Sequence, residues 1–180
     1  MNIKGIELKA SAVIALILYY GVAYYLPNSH GVFKFGGRLR RFLCKYIFKE
    51  MGNNVNIERR ANFGSGRNIV IGNNSGLGIN CTIPSNTKIG NDVMMGPNCY
   101  ILAGNHTITS TEIPMIQQGM SETKQTIIDD DVWIGRNVTM TPGRHISKGS
   151  IIGACCVLTK DFPEYSIVGG NPSRLIRLRK

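Results

Sequence analysis

A hexapeptide repeat constrains the fold of this chain more than any other feature of its sequence. An aliphatic or methionine side chain recurs every six residues, first from Ile71 to Ile101 and again from Ile128 to Leu158. An α-helix repeats about every 3.6 residues and an ordinary strand about every 2, so neither produces this period. The pattern therefore predicts a solenoid of short strands. The repeat positions are Ile71, Leu77, Ile83, Ile89, Met95, Ile101, Ile128, Ile134, Met140, Ile146, Ile152 and Leu158.

Each repeat is interpreted as one short strand followed by a corner. The aliphatic residue points inward, and a neighbouring glycine or asparagine, such as Gly72 or Gly78, accommodates the corner backbone. Three repeats close a triangular coil, and coils stack about 4.8 Å apart. About five coils are predicted, which together bury one apolar column. Small residues two positions before the aliphatic ones complete the pattern: Ser75, Cys81, Thr87, Val93, Cys99, Val132, Val138, Ser150 and Cys156, with Cys81 expected to stack on Cys99.

The cysteines indicate the cellular compartment of the protein, and the net charge indicates its possible binding partners. The five cysteines are odd in number and show no CxxC spacing, so we expect reduced thiols in a cytoplasmic protein. The net charge is +10, but no nucleic-acid motif accompanies it, so we expect no nucleic-acid partner. Membrane phosphates and a phosphorylated cofactor explain the basic residues better. These cluster at Lys34, Arg38, Arg40, Arg41, Lys45, Lys49, Arg59 and Arg60, and at Arg174, Arg177, Arg179 and Lys180.

Residues 1–52 are interpreted as an N-terminal helical segment that precedes the repeats. Residues 10–26 carry no charge, which is close to the lower limit for crossing a bilayer. An amphipathic helix is predicted to follow and to end at Gly52, with its basic residues on the outer face. Its apolar positions are Leu39, Phe42, Leu43, Tyr46 and Ile47, and its basic ones Arg38, Arg40, Arg41, Lys45 and Lys49.

The N-terminal segment has two interpretations. In the first, residues 10–51 associate with a membrane, peripherally or as an anchor, and the solenoid lies at the cytoplasmic face. Alternatively, both helices cap the first coil of the solenoid or pack between subunits, because the ends of a solenoid must be covered. The sequence alone leaves both interpretations open.

Residues 53–180 are interpreted as one β-helix domain. A polar stretch at residues 106–126 interrupts its repeats as a loop insertion. Insertions in solenoids become loops on one face, often the binding face. His106 lies at the root of this loop. Because imidazole exchanges protons near neutral pH, His106 is a candidate general base, although a lone histidine is more often only hydrogen-bonded.

Ordered segments along residues 55–178 give the chain a resemblance to a known family. Hexapeptide acetyltransferases of the maltose, galactoside and serine acetyltransferase type have segments similar to IGNNSGLGINCTI, VMMGPNCYILAGNH, IPMIQQG, DDVWIGRNVTMTPG, IIGACCVLTKDFP and YSIVGGNPSRLIR. Within that family the chain most resembles bacterial capsular or exopolysaccharide sugar O-acetyltransferases. The resemblance implies an all-β fold, a left-handed parallel β-helix with N-terminal helical segments and a short C-terminal helix.

The same resemblance implies an activity and an assembly. It implies transfer of an acetyl group from acetyl-CoA to a sugar hydroxyl, in the biosynthesis of a surface polysaccharide. It also implies a homotrimer whose active sites lie between neighbouring prisms, and it implies no metal. The acceptor is expected to be a carbohydrate.

The resemblance also assigns roles to single residues. His106 matches the catalytic base, Trp133 the tryptophan that walls the groove near the thioester, and Arg136 the position whose backbone N–H faces the thioester carbonyl. Two departures stand out, because a small residue is usual at Arg136 and a glycine at Cys155. The remaining coenzyme A positions are Ala154, Thr159, Lys160, Arg174 and Arg177, and the candidate acceptor-binding residues are Asn80, Asn105, Gln117 and Gln118.

Three other functions compete with this interpretation. A γ-type carbonic anhydrase on the same scaffold needs three converging histidines, and His30, His106 and His145 are not expected to converge. A non-catalytic β-helix would leave the basic C-terminal tail without an evident purpose. N-acylation of an amino sugar, or acylation of serine, stays open from the sequence alone.

Overall fold

The computed structural model describes residues 10–29, 34–122 and 124–180 and shows a three-faced β-solenoid. All strand pairs within the coils are parallel, and chain neighbours lie on different faces, as stacked triangular coils require. Face 1 carries one strand from each of five successive coils, and Phe162 adds a bridge to a sixth layer. The solenoid therefore has about six coils, one more than the sequence predicted. Face 1 consists of β1 (Glu50–Met51), β3 (Val70–Ile71), β5 (Lys88–Ile89), β8 (Ile127–Ile128) and β11 (His145–Ile146).

Faces 2 and 3 complete the prism. Face 2 carries the outward side chains of Met94 and Trp133 and ends in an antiparallel pair at the C-terminus. Face 3 begins with isolated bridges that join Asn62, Thr82 and Tyr100. Face 2 consists of β2 (Asn56–Ile57), β4 (Gly76–Leu77), β6 (Met94–Met95), β9 (Trp133–Ile134), β12 (Ile151–Ile152), β14 (Ser166–Gly169) and β15 (Arg174–Leu178), and face 3 of β7 (Tyr100–Ile101), β10 (Thr139–Met140) and β13 (Val157–Leu158).

The predicted inward column is confirmed. Of the repeat positions, all are buried except Met95, which is half-buried because it borders an open groove against face 2. The small residues two positions earlier are all buried, and Thr82 N–H donates to Cys99 O at 2.8 Å, as stacking of adjacent coils requires. Because each coil covers its neighbours, the apolar surface forms one continuous core.

The backbone conformation at the corners differs from the expectation drawn from the sequence. The left-handed backbone lies two residues after the repeat glycine, at asparagines such as Asn80 (φ 55°) and Asn98 (φ 58°), rather than at the glycine itself. The glycine is needed for close approach, since a Cβ on Gly135 would lie 2.6 Å from Ala154 N in the next coil. Glycine therefore sets how closely neighbouring corners stack.

Asparagine side chains link these corners into a ladder. Asn80 Nδ2 donates to Asn98 Oδ1 at 3.0 Å, and Asn98 Nδ2 donates to Asn137 Oδ1 at 3.0 Å. The next corner carries Cys155, whose sulfur lies 3.9 Å from Asn137 Nδ2. Identical amides at one-coil spacing satisfy each other, as in other asparagine ladders.

Two helices cover the first coils. Helix α1 (Ala10–Gly21) and helix α2 (Phe35–Ile47) pack on each other, and their buried residues belong to the core of the solenoid. Tyr19 is fully buried and its hydroxyl donates to Ala61 O at 2.8 Å, and burial raises the pKa of this phenol. The capping role left open by the sequence is thus observed. Within residues 10–29, 34–122 and 124–180, the helices are too short or too polar to cross a bilayer.

Three details of the predicted architecture are wrong. Arg40 lies on the inner face of α2, because buried carbonyl groups accept its hydrogen bonds. The helix ends at Ile47 rather than at Gly52, where the chain has already entered the first coil. The expected short C-terminal helix is strand β15, which pairs antiparallel with β14. Residues 1–9, His30 and its neighbours 31–33 lie outside the described residues.

Candidate active site

The insertion at residues 106–126 leaves the prism as a hairpin-like loop with His106 at its base. Thr107 N–H donates to Gly119 O at 3.0 Å, and Ser121 N–H donates to Asn105 O at 2.9 Å. These two bonds flank His106, which bridges antiparallel to Met120. The histidine therefore sits on an ordered base although the loop itself is exposed.

His106 opens onto a cleft of about 580 Å³. The cleft is lined by polar groups of the loop base, including Asn105, Thr107, Thr109 and Ser121. The His106 side chain is exposed, and no residue in the described part of the chain forms a hydrogen bond or ion pair with its ring. Both ring nitrogens are thus available to a ligand.

The loop candidates for acceptor binding differ in their availability. Gln118 holds the loop together, since its Nε2 donates to Ser110 O and to Ile113 O at 2.9 Å and its Oε1 accepts from Ser110 N–H. Asn80 is used by the corner ladder. Asn105 lines the His106 cleft, and Gln117 is exposed in a single-turn 3₁₀ helix at Met115–Gln117.

Trp133 and Arg136 flank one corner of face 2. The Trp133 ring is half-exposed on the outer surface, beside Met94 on one side and Ile151 on the other. At the corner that follows, Arg136 O accepts from Cys155 N–H at 2.9 Å. No described residue accepts a hydrogen bond from the Arg136 N–H, which leaves this donor for a ligand.

The next coil carries the other predicted coenzyme positions as a row along the chain, with Ala154 before β13 and Thr159 and Lys160 after it. Ala154 is exposed and stacks on the corner of Gly135. Thr159 N–H donates to Ser173 Oγ at 3.1 Å, and the two hydroxyl oxygens are 3.2 Å apart. Lys160 is exposed, with its Nζ 5.5 Å from the centre of the Phe162 ring. Ser173, which the sequence analysis missed, ties the C-terminal tail to this row.

Arg174 and Arg177 belong to the final strand β15. Both side chains are exposed, and neither is paired with an acidic residue among the described residues. Arg179, by contrast, fixes the end of the strand, since its Nη1 donates to Asp131 Oδ2 at 3.0 Å and to Gly149 O at 2.6 Å. Arg177 Nη1 donates only to Leu178 O at 3.2 Å, so the strand presents two exposed guanidinium groups without an acidic partner from a fixed backbone.

Comparison with known proteins gives one consistent family. Residues 68–103 match the family model described as bacterial transferase hexapeptide (six repeats). The galactoside O-acetyltransferase of Lactococcus lactis is 35% identical over 139 residues, covering 75% of this chain and 65% of that protein. The galactoside O-acetyltransferase of Escherichia coli K12 is 33% identical over 140 residues, covering 77% of this chain and 68% of that protein.

This chain belongs to the hexapeptide-repeat acetyltransferases. It spans about two thirds of the length of the curated relatives it matches. A solved structure of galactoside acetyltransferase in complex with coenzyme A is 28% identical, with a TM-score of 0.73 over 96% of this chain and 84% of that one. A mirror-image solenoid would not superpose in this way, so the left-handed parallel β-helix is confirmed.

This hexapeptide acetyltransferase also contains a groove that the sequence analysis missed. A cavity of about 910 Å³ lies between α2 and face 2. Lys34, Arg38 and Arg41 line one side of it, and Met94 and Met95 line the other. The basic residues were recognised in the sequence, but which of them face the prism depends on how α2 packs.

A metal site of the carbonic anhydrase kind has no counterpart in the described part of this acetyltransferase. No three histidine, cysteine, aspartate or glutamate residues converge there. His145 pairs instead with Asp129, with Nε2 and Oδ2 2.8 Å apart on the outer surface of face 1.

Proposed function

We propose that this protein is an acetyl-CoA-dependent O-acetyltransferase that acts on a sugar hydroxyl with His106 as general base. The observation that carries the proposal is an unpaired, exposed imidazole in an open cleft, on a chain that belongs to the hexapeptide acetyltransferases. The relatives named for galactoside acetylation, and the solved coenzyme A complex of a galactoside acetyltransferase, support the donor and the class of acceptor.

The proposed reaction needs one base and one oxyanion donor. His106 accepts the proton of the acceptor hydroxyl as that oxygen attacks the thioester carbonyl, and a positioned base contributes about 10²- to 10⁴-fold. The backbone N–H of Arg136 donates to the carbonyl oxygen as its negative charge develops. When the tetrahedral intermediate collapses, the C–S bond breaks and the coenzyme A sulfur takes the proton from the imidazolium. The products are the acetyl ester and coenzyme A.

The row from Trp133 to Arg177 supplies the proposed coenzyme surface. The exposed Trp133 ring walls the thioester end, Ala154, Thr159 and Lys160 follow the pantetheine arm, and the exposed guanidinium groups of β15 meet the phosphates. Arginine is suited to this role because its planar donors bind phosphate oxygens in pairs.

We expect the Arg174→Ala/Arg177→Ala double variant to raise KM for acetyl-CoA by about 10- to 100-fold, because each charge-assisted hydrogen bond contributes substantially to binding. The turnover number kcat should change little, since the reacting atoms are remote from the phosphates. Steady-state kinetics with varied acetyl-CoA measures both constants. Lys88→Ala on face 1 is the matched loss of an exposed cation, and an equal rise in KM there would contradict the assignment.

We expect Cys155 to be the thiol that a soluble alkylating reagent labels in the native protein, and coenzyme A to slow that labelling. Cys155 is exposed, whereas the other cysteines are buried, and burial raises the pKa of Cys99 to about 11 and that of Cys81 further. Mass spectrometry of tryptic peptides after brief alkylation separates the sites. Unchanged labelling of Cys155 under saturating coenzyme A would show that the cofactor does not pass this corner.

The assembly proposed for the active site is a homotrimer with sites between neighbouring prisms. Large apolar side chains are exposed on the loop, among them Ile108, Met115 and Ile116, and on the faces at Tyr100 and Trp133. Monomeric proteins rarely leave so much apolar surface uncovered. Light scattering of the purified protein measures the molar mass and tests the trimer.

The acceptor proposed here is a sugar of a surface polysaccharide. Asn105 and Gln117 have amide groups that are free to meet hydroxyls, which suits a neutral acceptor. The test is thiol release from acetyl-CoA with a panel of sugars, amino sugars and serine. Turnover confined to amino sugars or to serine would replace O-acetylation of a sugar by one of those reactions, and absence of coenzyme A binding would favour a non-catalytic protein.

A further inference from the structure

Helix α1 has an apolar outer surface that no described residue covers. Its inner side packs on α2 and the first coils through small residues and Tyr19. On the other side, five large apolar side chains are between 46% and 66% exposed. No charged residue occurs between residues 10 and 29. This surface, called the outer surface of α1, consists of Ile14, Ile17 and Leu18 of the helix and of Val22 and Tyr25 in the turn that follows it.

Basic and aromatic side chains are also exposed on and just after α2, the helix that packs on α1. On α2, Phe42 and Tyr46 are half-exposed and stack edge to face, with ring centres 5.3 Å apart. Lys45 and Lys49 are exposed beside them. Lysine stems beside aromatic rings are typical of surfaces that lie at the boundary between lipid and water.

The charge of the chain is concentrated at this end of the prism. Residues 10–67 contain nine lysines and arginines but only two acidic residues, Glu50 and Glu58. Glu58 is buried and bonded to Ser29 N–H and Asn56 Nδ2. Residues 68–180 contain ten basic and eight acidic residues, so they are nearly balanced. Residues 10–67 therefore carry seven of the ten net positive charges of the chain.

We propose that α1 and α2 form an interfacial anchor that binds the surface of an anionic lipid bilayer. The helices lie in the plane of the interface, with the outer surface of α1 in the boundary region and Lys45 and Lys49 at the lipid phosphates. The positive charge of this surface favours an anionic lipid bilayer over a second copy of the chain as its partner, because the basic surfaces of two copies would repel each other. The anchor holds the solenoid at the cytoplasmic face of the membrane and does not depend on the acetyltransferase activity.

Vesicle flotation of the full chain tests the anchor. Wild type should float with vesicles of phosphatidylcholine and phosphatidylglycerol, and binding should fall when salt is raised. Ile17→Asp/Leu18→Asp should abolish flotation, and Lys45→Ala/Lys49→Ala should weaken it by about 30-fold, since each lysine near an anionic surface contributes about fivefold. The matched control is Lys148→Ala, the loss of an exposed cation on the solenoid, which should bind like wild type.

Two results would overturn the proposal. One is wild-type protein that stays in the lower fraction with anionic vesicles. The other is an Ile17→Asp/Leu18→Asp variant that floats normally but has an altered molar mass in light scattering, which would make the surface a contact between subunits. Retained coenzyme A binding by each variant shows that it is folded, because the coenzyme row is remote from α1.

Discussion

His106→Ala should lower kcat by at least about 100-fold while coenzyme A still binds. The imidazole is the candidate base in an open cleft, and without it the acceptor hydroxyl must lose its proton to water. The loop base is held by backbone bonds on both sides of His106, from Thr107 and to Asn105, so truncation of the side chain leaves it in place. Thiol release from acetyl-CoA measures the rate, and calorimetric titration with coenzyme A measures the binding.

The chain offers a matched control for this substitution. His145 is the other histidine in the described residues, and it pairs with Asp129 on the outer surface of face 1. His145→Ala should leave turnover unchanged. Equal turnover of His106→Ala and wild type would remove His106 from the mechanism without touching the assignment of the family, whereas loss of coenzyme A binding would indicate a wider structural effect.

Arg40→Met should lower the free energy of unfolding by about 3 to 5 kcal/mol, the usual cost of removing one partner of a buried ionic network. Arg40 is fully buried, and its guanidinium donates to the carbonyl groups of Ile57 at 2.7 Å, Pro27 at 3.0 Å, and Ala23 and Leu26 at 3.1 Å. Burial lowers the pKa of this guanidinium. Urea unfolding at fixed protein concentration measures the loss.

A second substitution separates the two parts of that loss. Arg40 Nη2 lies 3.9 Å from Glu58 Oε2, and without the guanidinium the buried carboxylate lacks this cation. Arg40→Met/Glu58→Gln should therefore recover part of the stability, because the charge is removed while the amide keeps the shape. Lys45→Met, on the exposed side of α2, should change stability by less than about 0.5 kcal/mol. A similar small change for Arg40→Met would contradict the bonding role.

The solenoid could be predicted from the sequence because the same six-residue pattern occurs many times along the chain. A period of six cannot be satisfied by a helix or an ordinary strand, and positions such as Ile89 and Ile134 are buried as expected. The burial of Arg40 was not predicted because a charged side chain is rarely buried, although its spacing from Leu43 and Ile47 places it on the inner face of α2. Only the carbonyls of Ile57 and Pro27, brought together by the capping of the first coil, make burial favourable.

The part of the candidate site that could be predicted from the residues alone is the loop that interrupts the hexapeptide repeats. The interruption of the repeats drew attention to His106, and the family resemblance then named the row that begins at Trp133. The groove beside Met94 and Arg38 carried no such signal, because it is formed by the packing of a helix against a face. The use of Gln118 to hold the loop was hidden for the same reason, since its partners depend on the fold of the loop.

Strand β15 gives the last coil a role beyond the proposed coenzyme binding. A stack of parallel strands ends in an open edge, and an open edge recruits further strands from other molecules. Here the chain turns back, pairs antiparallel with β14 and presents Arg174 and Arg177 at that edge. Charge on an edge strand opposes aggregation. The arginines proposed to bind the phosphates therefore also oppose aggregation, which would link the solubility of the enzyme to its proposed coenzyme site.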